Sequence, residues 1–173
     1  MINLVLAMAV QAAGSQQLAG MGAASVDLLV GSWVLVSRED RTADGTLVPE
    51  PSLGSDPLGF LVYDRTGHVA VQLMRRVRST EGVPSVQQGQ PDPNNSGATG
   101  GYDAYFGTYT LDPKAHTVTH HMLGALLPGD VGKSITRHAA VSEGELRLWF
   151  DTVGSSGQPV TRTLVWKRAE SVK

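Results

Sequence analysis

His120 and His121 are the residues of this sequence that first invite a chemical reading. Two adjacent imidazoles suggest a metal site or acid–base work. A strand sends neighbouring side chains to opposite faces, so in a strand these two cannot grip one ion. His120 then shares a face with Phe106, Val118 and Met122, and is the one expected to point inward. A lone imidazole among apolar groups orients a ligand, acts as general acid or base, or is a hydrogen-bonded core residue. Tyr63, Gln72, Tyr109 and Arg137 are further polar or amphipathic groups set within apolar runs. Small-molecule pockets are mostly apolar with a few such groups to set orientation. The expected ligand-binding set is therefore Tyr63, Gln72, Met74, Phe106, Tyr109, His120, Met122 and Arg137, with His120 the candidate catalytic residue. His68, His116 and His138 are scattered, and no metal site is expected.

The rest of the sequence narrows the chemistry. The chain has 173 residues and no cysteine, which removes disulfides, thiolate metal sites and cysteine nucleophiles. It holds no nucleophile elbow, phosphate-binding glycine loop, dinucleotide fingerprint or zinc-protease motif, so no cofactor is expected. Its formal charge of −2 and lack of a basic stripe argue against a nucleic-acid partner. No apolar run reaches the roughly 18–20 residues that span a bilayer as a helix. Residues 1–24 are set apart from the fold. Ile2 to Val10 is apolar and Val10-Gln11-Ala12 has signal-peptidase spacing, yet no Lys or Arg precedes Arg38. These residues are read as a weak signal peptide of a periplasmic or secreted protein, or as an extension on a cytoplasmic one.

The elements that must hold the candidate residues read as short strands. Twenty Gly and nine Pro supply many turns. Strands are expected over 31–37, 59–63, 68–75, 106–111, 116–123, 133–141, 145–152 and 159–168, after a helical turn near 27–30. A second helical turn is expected over 101–105. Asp64-Arg65-Thr66-Gly67 reads as a type I turn with a glycine bulge, pairing Tyr63 with Val69 and Leu61 with Val71. Pairing through Asp112-Pro113-Lys114-Ala115 puts Phe106 and Thr108 on the face of His120. Ser142-Glu143-Gly144 reads as a three-residue bulged turn, grouping His138 and Ala140 with Leu146, Leu148 and Phe150 and setting Arg137 beside Trp149. A buried Arg137 needs a partner, and Asp151 or Glu145 is within reach of that pairing. Residues 76–100 are polar and rich in Pro, Gly and Asn, and read as a long flexible loop at one barrel end. About eight strands joined by hairpins predict an all-β, single antiparallel up-and-down barrel over residues 25–170, with a two-sheet sandwich as the alternative.

Several segments point to a family. Leu29-Val30-Gly31-Ser32-Trp33-Val34-Leu35-Val36-Ser37 carries a Gly-x-Trp opening. Gly59-Phe60-Leu61-Val62-Tyr63, Gln72-Leu73-Met74-Arg75, Tyr105-Phe106-Gly107-Thr108-Tyr109 and Leu164-Val165-Trp166-Lys167-Arg168 extend the pattern. Together they resemble the bacterial and fungal lipocalin-like domain family over roughly residues 27–169. The resemblance implies a calycin-type barrel in which Trp33, after Gly31, closes one end and Arg168 or Lys167 packs over it. It implies no particular activity.

Three functions remain open. The barrel binds an apolar or aromatic small molecule. It is a cofactor-independent cyclase, isomerase or hydratase acting on such a molecule through His120. Or its interior is filled and it has no ligand. Fold alone does not choose among them.

Overall fold

The computed structural model describes residues 22–78 and 100–171. Most of the expected N-terminal extension (1–24) and of the expected flexible loop (76–100) lies outside the described residues. One sheet contains β1 (Gly22–Ala23), β2 (Gly31–Arg41), β3 (Leu47–Val48), β4 (Leu58–Tyr63), β5 (His68–Met74), β6 (Tyr102–Asp112), β7 (Thr117–Ala125), β8 (Ser134–Val141), β9 (Glu145–Val153) and β10 (Pro159–Arg168). A one-turn helix, α1 (Val26–Leu29), precedes β2 and is capped by the Ser25 hydroxyl. β4 to β10 each pair with the preceding strand of the ring, β2 pairs with β4, and β10 closes back onto β2. The result is a closed, antiparallel, up-and-down barrel of eight strands, with β1 appended to β8 and β3 to β2. Closure leaves the eight wall strands without free edges. No described helix is long and apolar enough to cross a membrane.

Turn chemistry sets the first hairpin. Asp64 Oδ1 accepts the backbone N–H groups of Thr66 and His68, each at 2.8 Å, and Gly67 takes a left-handed φ of 88°. Tyr63 pairs with Val69 and Leu61 with Val71, as the turn residues predict. Alternation then points Leu61, Tyr63, Val69, Val71 and Leu73 into the barrel.

Two other hairpins differ from expectation by one residue. Asp112 pairs with Thr117, not with His116, because His116 adopts φ 53° and joins the loop. Tyr105, Gly107 and Tyr109 therefore share the face of His120, and Phe106 stands outside, 60% exposed. Between β8 and β9 the loop has two residues rather than three, with Ser142 and Glu145 bonded across it. Arg137, Ala139 and Val141 thus face inward with Leu146, Leu148 and Phe150. His138 is outside, stacked on Trp149 at 5.3 Å, so the expected Arg137–Trp149 pairing does not exist. The expected helical turn at 101–105 is instead the start of β6, whose inward residues there are Asp103 and Tyr105.

Two bulges decide what reaches the interior. On β2, Leu35 pairs with Trp166 and Ser37 with Val165, leaving Val36 as an extra residue. Beyond it, inward positions switch from Trp33 and Leu35 to Arg38 and Asp40. On β7, Leu123 is the extra residue, between Met122 opposite Gly107 and Gly124 opposite Phe106. A side chain at position 107 has no room there, because an added Cβ would fall 1.9 Å from the His121 carbonyl oxygen. Gly107→Ala is expected to lower stability by about 1–3 kcal/mol. A urea midpoint equal to that of the parent protein would show that the bulge relaxes freely.

One barrel end is sealed. Trp33 is fully buried and its indole N–H donates to the Leu29 carbonyl at 2.9 Å. The Arg168 guanidinium lies 4.2 Å from the Trp33 ring centroid and donates to the carbonyls of Leu28, Val30 and Glu143. Gly31 is left-handed at φ 137°, and an added Cβ would lie 2.4 Å from Arg168 Nη1. Small size at Gly31 is what lets the arginine reach the chain beneath Trp33.

Candidate functional site

Mid-barrel, His120 is 1% exposed and gathers three polar neighbours. Its Nε2 lies 2.6 Å from the Tyr63 hydroxyl; its Nδ1 lies 2.8 Å from the Tyr105 hydroxyl and 3.2 Å from Arg137 Nη1. A guanidinium can only donate, so Nδ1 accepts and the imidazole proton sits on Nε2, directed at the Tyr63 oxygen. That arrangement leaves the Tyr63 O–H with no other acceptor among the described residues. Burial, aided by the Arg137 charge, holds the His120 imidazolium well below its usual range, so the ring is neutral. Burial likewise raises Tyr63 and Tyr105, which stay protonated. The cluster therefore offers neutral hydroxyls and one cation, a set suited to holding an acceptor oxygen or passing a proton.

Above this cluster lies a charged layer toward the other barrel end. Arg162 grips Asp40 with two bonds of 2.7 Å, both side chains nearly inaccessible. Arg38 donates to Glu50 at 2.8 Å. Glu50 also accepts the N–H groups of Ser52 and Leu53, and Arg75 reaches the carbonyls of Pro51 and Ser52. These contacts fold the β3–β4 connection over the mouth and sink Leu53, 2% exposed, into it. Asp103 is buried with Oδ1 lacking any hydrogen-bond partner.

Burial pushes the Asp103 carboxyl up to about 7, and the nearby Asp130 carboxylate adds to the rise. An acid raised by folding binds its proton more tightly in the native state. Its contribution is greatest below its unfolded pKa of about 3.9 and is lost progressively as pH climbs to about 7. Asp103→Asn is expected to remove this loss. Its stability relative to the parent protein should improve from pH 5 to pH 8 in urea titrations, and parallel pH profiles would contradict the assignment.

The candidate residues read from sequence divide cleanly. Tyr63, Tyr109, His120, Met122 and Arg137 face the interior. Tyr109 bonds the Asp64 carbonyl and packs edge-on against Tyr63 near the sealed end. Gln72, Met74 and Phe106 lie on the outer wall and cannot touch an enclosed ligand; Gln72 instead accepts from Tyr102. Neither Glu145 nor Asp151 serves Arg137: Glu145 pairs with Arg147 and Asp151 accepts from Thr161. Tyr105, Asp103, Arg38, Asp40 and Arg162 were not among the expected residues, yet all face inward. Tyr105 and Asp103 follow from the alternation of β6 once Tyr109 is known to be inside. Arg38 and Asp40 depend on the Val36 bulge, which carries no mark in the sequence.

Between the charged layer and the sealed end is a cavity walled by Leu61, Val71, Leu73, Leu148, Leu164 and Trp166, with His120, Tyr105, Arg137 and Asp103 among its polar contacts. The centre of a water-sized sphere can roam about 30 Å³ of it, room for roughly one or two waters. Trp166 lines this cavity, and its indole N–H is buried without an acceptor.

A closed eight-stranded barrel with a sealed end and an interior site of this size range defines a class of proteins that enclose side chains or one small ligand. The family model of the lipocalin-like domain matches residues 30–169, and the chain belongs to that family. Among solved structures, insecticyanin from the tobacco hornworm Manduca sexta matches with a TM-score of 0.42 and 6% identity, over 89% of this chain and 68% of that one. No curated protein matches the chain in sequence. Small-molecule binding in general is the function this family membership and architecture support.

Proposed function

We propose that the barrel holds an apolar or aromatic small molecule in its interior, oriented by the hydrogen-bonding cluster around His120. The observation that carries this reading is a pair of buried polar atoms without protein partners on residues that line the interior cavity. Asp103 Oδ1 and the Trp166 indole N–H are both unmatched, and both residues line the cavity. An occupant that supplies a donor to Asp103 and an acceptor to Trp166 would remove a cost of about 1–3 kcal/mol per unmatched atom. The narrowness of the cavity means that a ligand enters by displacing something. Leu53 is the movable part, since it hangs on a connection held by Glu50 and Arg75 rather than on a wall strand.

Trp166 reports occupancy directly. Stopped-flow quenching of tryptophan emission by an aromatic probe such as 2-naphthol should show saturable binding. Leu53→Ala should speed association at least several-fold. Absence of saturable quenching across a panel of aromatic and aliphatic probes would favour the filled barrel, which the small resting volume otherwise suits. An unchanged association rate in Leu53→Ala would move the entrance elsewhere.

A further inference from the structure

Two of the interior arginines touch a carboxylate and the third does not, and that third one points to the chemistry of the ligand. Three arginines project inward: Arg38, Arg137 and Arg162. Arg38 has Glu50 and Arg162 has Asp40. Arg137 has no carboxylate in contact among the described residues. It donates to His120 Nδ1 and to the Tyr105 hydroxyl oxygen, Asp103 acts on it only through space, and its guanidinium lies over the rings of Phe150 at 5.2 Å and Tyr105 at 5.9 Å. Ring faces and a neutral imidazole are weak company for a cation that is 7% exposed. Buried cations are normally paired with an anion, because desolvation otherwise goes uncompensated. A guanidinium carries five N–H donors, and the bonds to His120 and Tyr105 leave others free toward the cavity it borders.

The geometry points to a ligand that carries an ionised acidic oxygen, a carboxylate or an enolate of similar shape, on its apolar or aromatic body, with that oxygen seated on Arg137. The planar fork suits two adjacent oxygens. Tyr63 supplies a second donor through the hydroxyl proton that His120 does not take. The apolar body then lies along Leu61, Val71 and Leu164. This assignment rests on the proposed interior binding and narrows it from any apolar molecule to a weak organic acid.

The test uses benzoate, 2-naphthoate and dodecanoate, each beside its methyl ester, titrated into the full-length protein and into Arg137→Met and Arg137→Lys by calorimetry at neutral pH. A charge-assisted, two-point contact predicts that at least one acid binds about tenfold or more tighter than its ester. Arg137→Met should reduce that preference to within about threefold by weakening the acid far more than the ester, and Arg137→Lys should restore part of it. A cooperative urea transition and an unchanged near-UV circular dichroism spectrum show that Arg137→Met is folded. Esters that bind as well as acids, or an acid preference unchanged in Arg137→Met, would overturn the assignment and leave interior binding standing. Failure of every acid and every ester would overturn both.

Discussion

Asp40→Ala is expected to destabilise the protein by about 3–5 kcal/mol, the loss typical of stripping one partner from a buried ion pair. Asp40 is 1% exposed and takes both of its strong bonds from Arg162, through Nε and Nη2. With the carboxylate gone, Arg162 remains inside the barrel with Arg38 as a nearby like charge; Arg38 is itself held below its usual range by burial and by Arg162. The effect belongs to the orphaned cation, not to any large net value of the pair. A double change, Asp40→Leu with Arg162→Met, should therefore recover most of the loss, since apolar replacement of a buried pair is often neutral or better. Urea unfolding of the three variants measures both parts. A single variant within about 1 kcal/mol of the parent protein would mean that water reaches Arg162 at no structural expense.

Trp33→Ala is the second large expectation, again about 3–5 kcal/mol. Three separate contributions disappear together. The fully buried indole leaves a void at the sealed end, the Leu29 carbonyl loses its donor, and the Arg168 guanidinium loses the ring beneath it. Trp33→Phe keeps most of the volume and part of the ring contact, so its loss should be clearly smaller. Arg168→Met, which removes bonds to three carbonyls as well as the ring contact, should fall between them. Equal losses for Trp33→Phe and Trp33→Ala would assign the effect to the hydrogen bond instead of to packing.

The barrel was legible because hairpin signals repeat along the chain and local turn chemistry can fix register. Asp64 and Gly67 show this most clearly: a carboxylate that accepts two backbone N–H groups and a residue free to take positive φ determine which residues oppose one another. The same reasoning fails where a loop gains or loses one residue. His116 takes a left-handed φ of 53°, which histidine adopts far less often than glycine; this lengthens the β6–β7 loop and turns Phe106 outward in place of Tyr105. Ser142 bonding to Glu145 shortens the next loop and brings Arg137, not His138, inside. His120 was nonetheless placed correctly on the inner face, because Val118 and Met122 on its own strand supply the pattern. Its true partners, Tyr63 and Tyr105, come from β4 and β6, and no spacing within one strand can announce them. The charged layer was hidden for a related reason. Arg38 and Asp40 look like the polar start of a loop, and the bulge at Val36 carries them inward.

The central claim is that the interior is a ligand site. Native mass spectrometry of the freshly purified, full-length protein tests it most directly, followed by organic extraction of whatever is released. The account predicts a stoichiometric added mass, or its appearance on incubation with apolar acids, and an extract containing one small organic acid. A clean ligand-free mass that no lipid, aromatic acid or polyketide shifts would contradict it and identify a barrel filled by its own side chains.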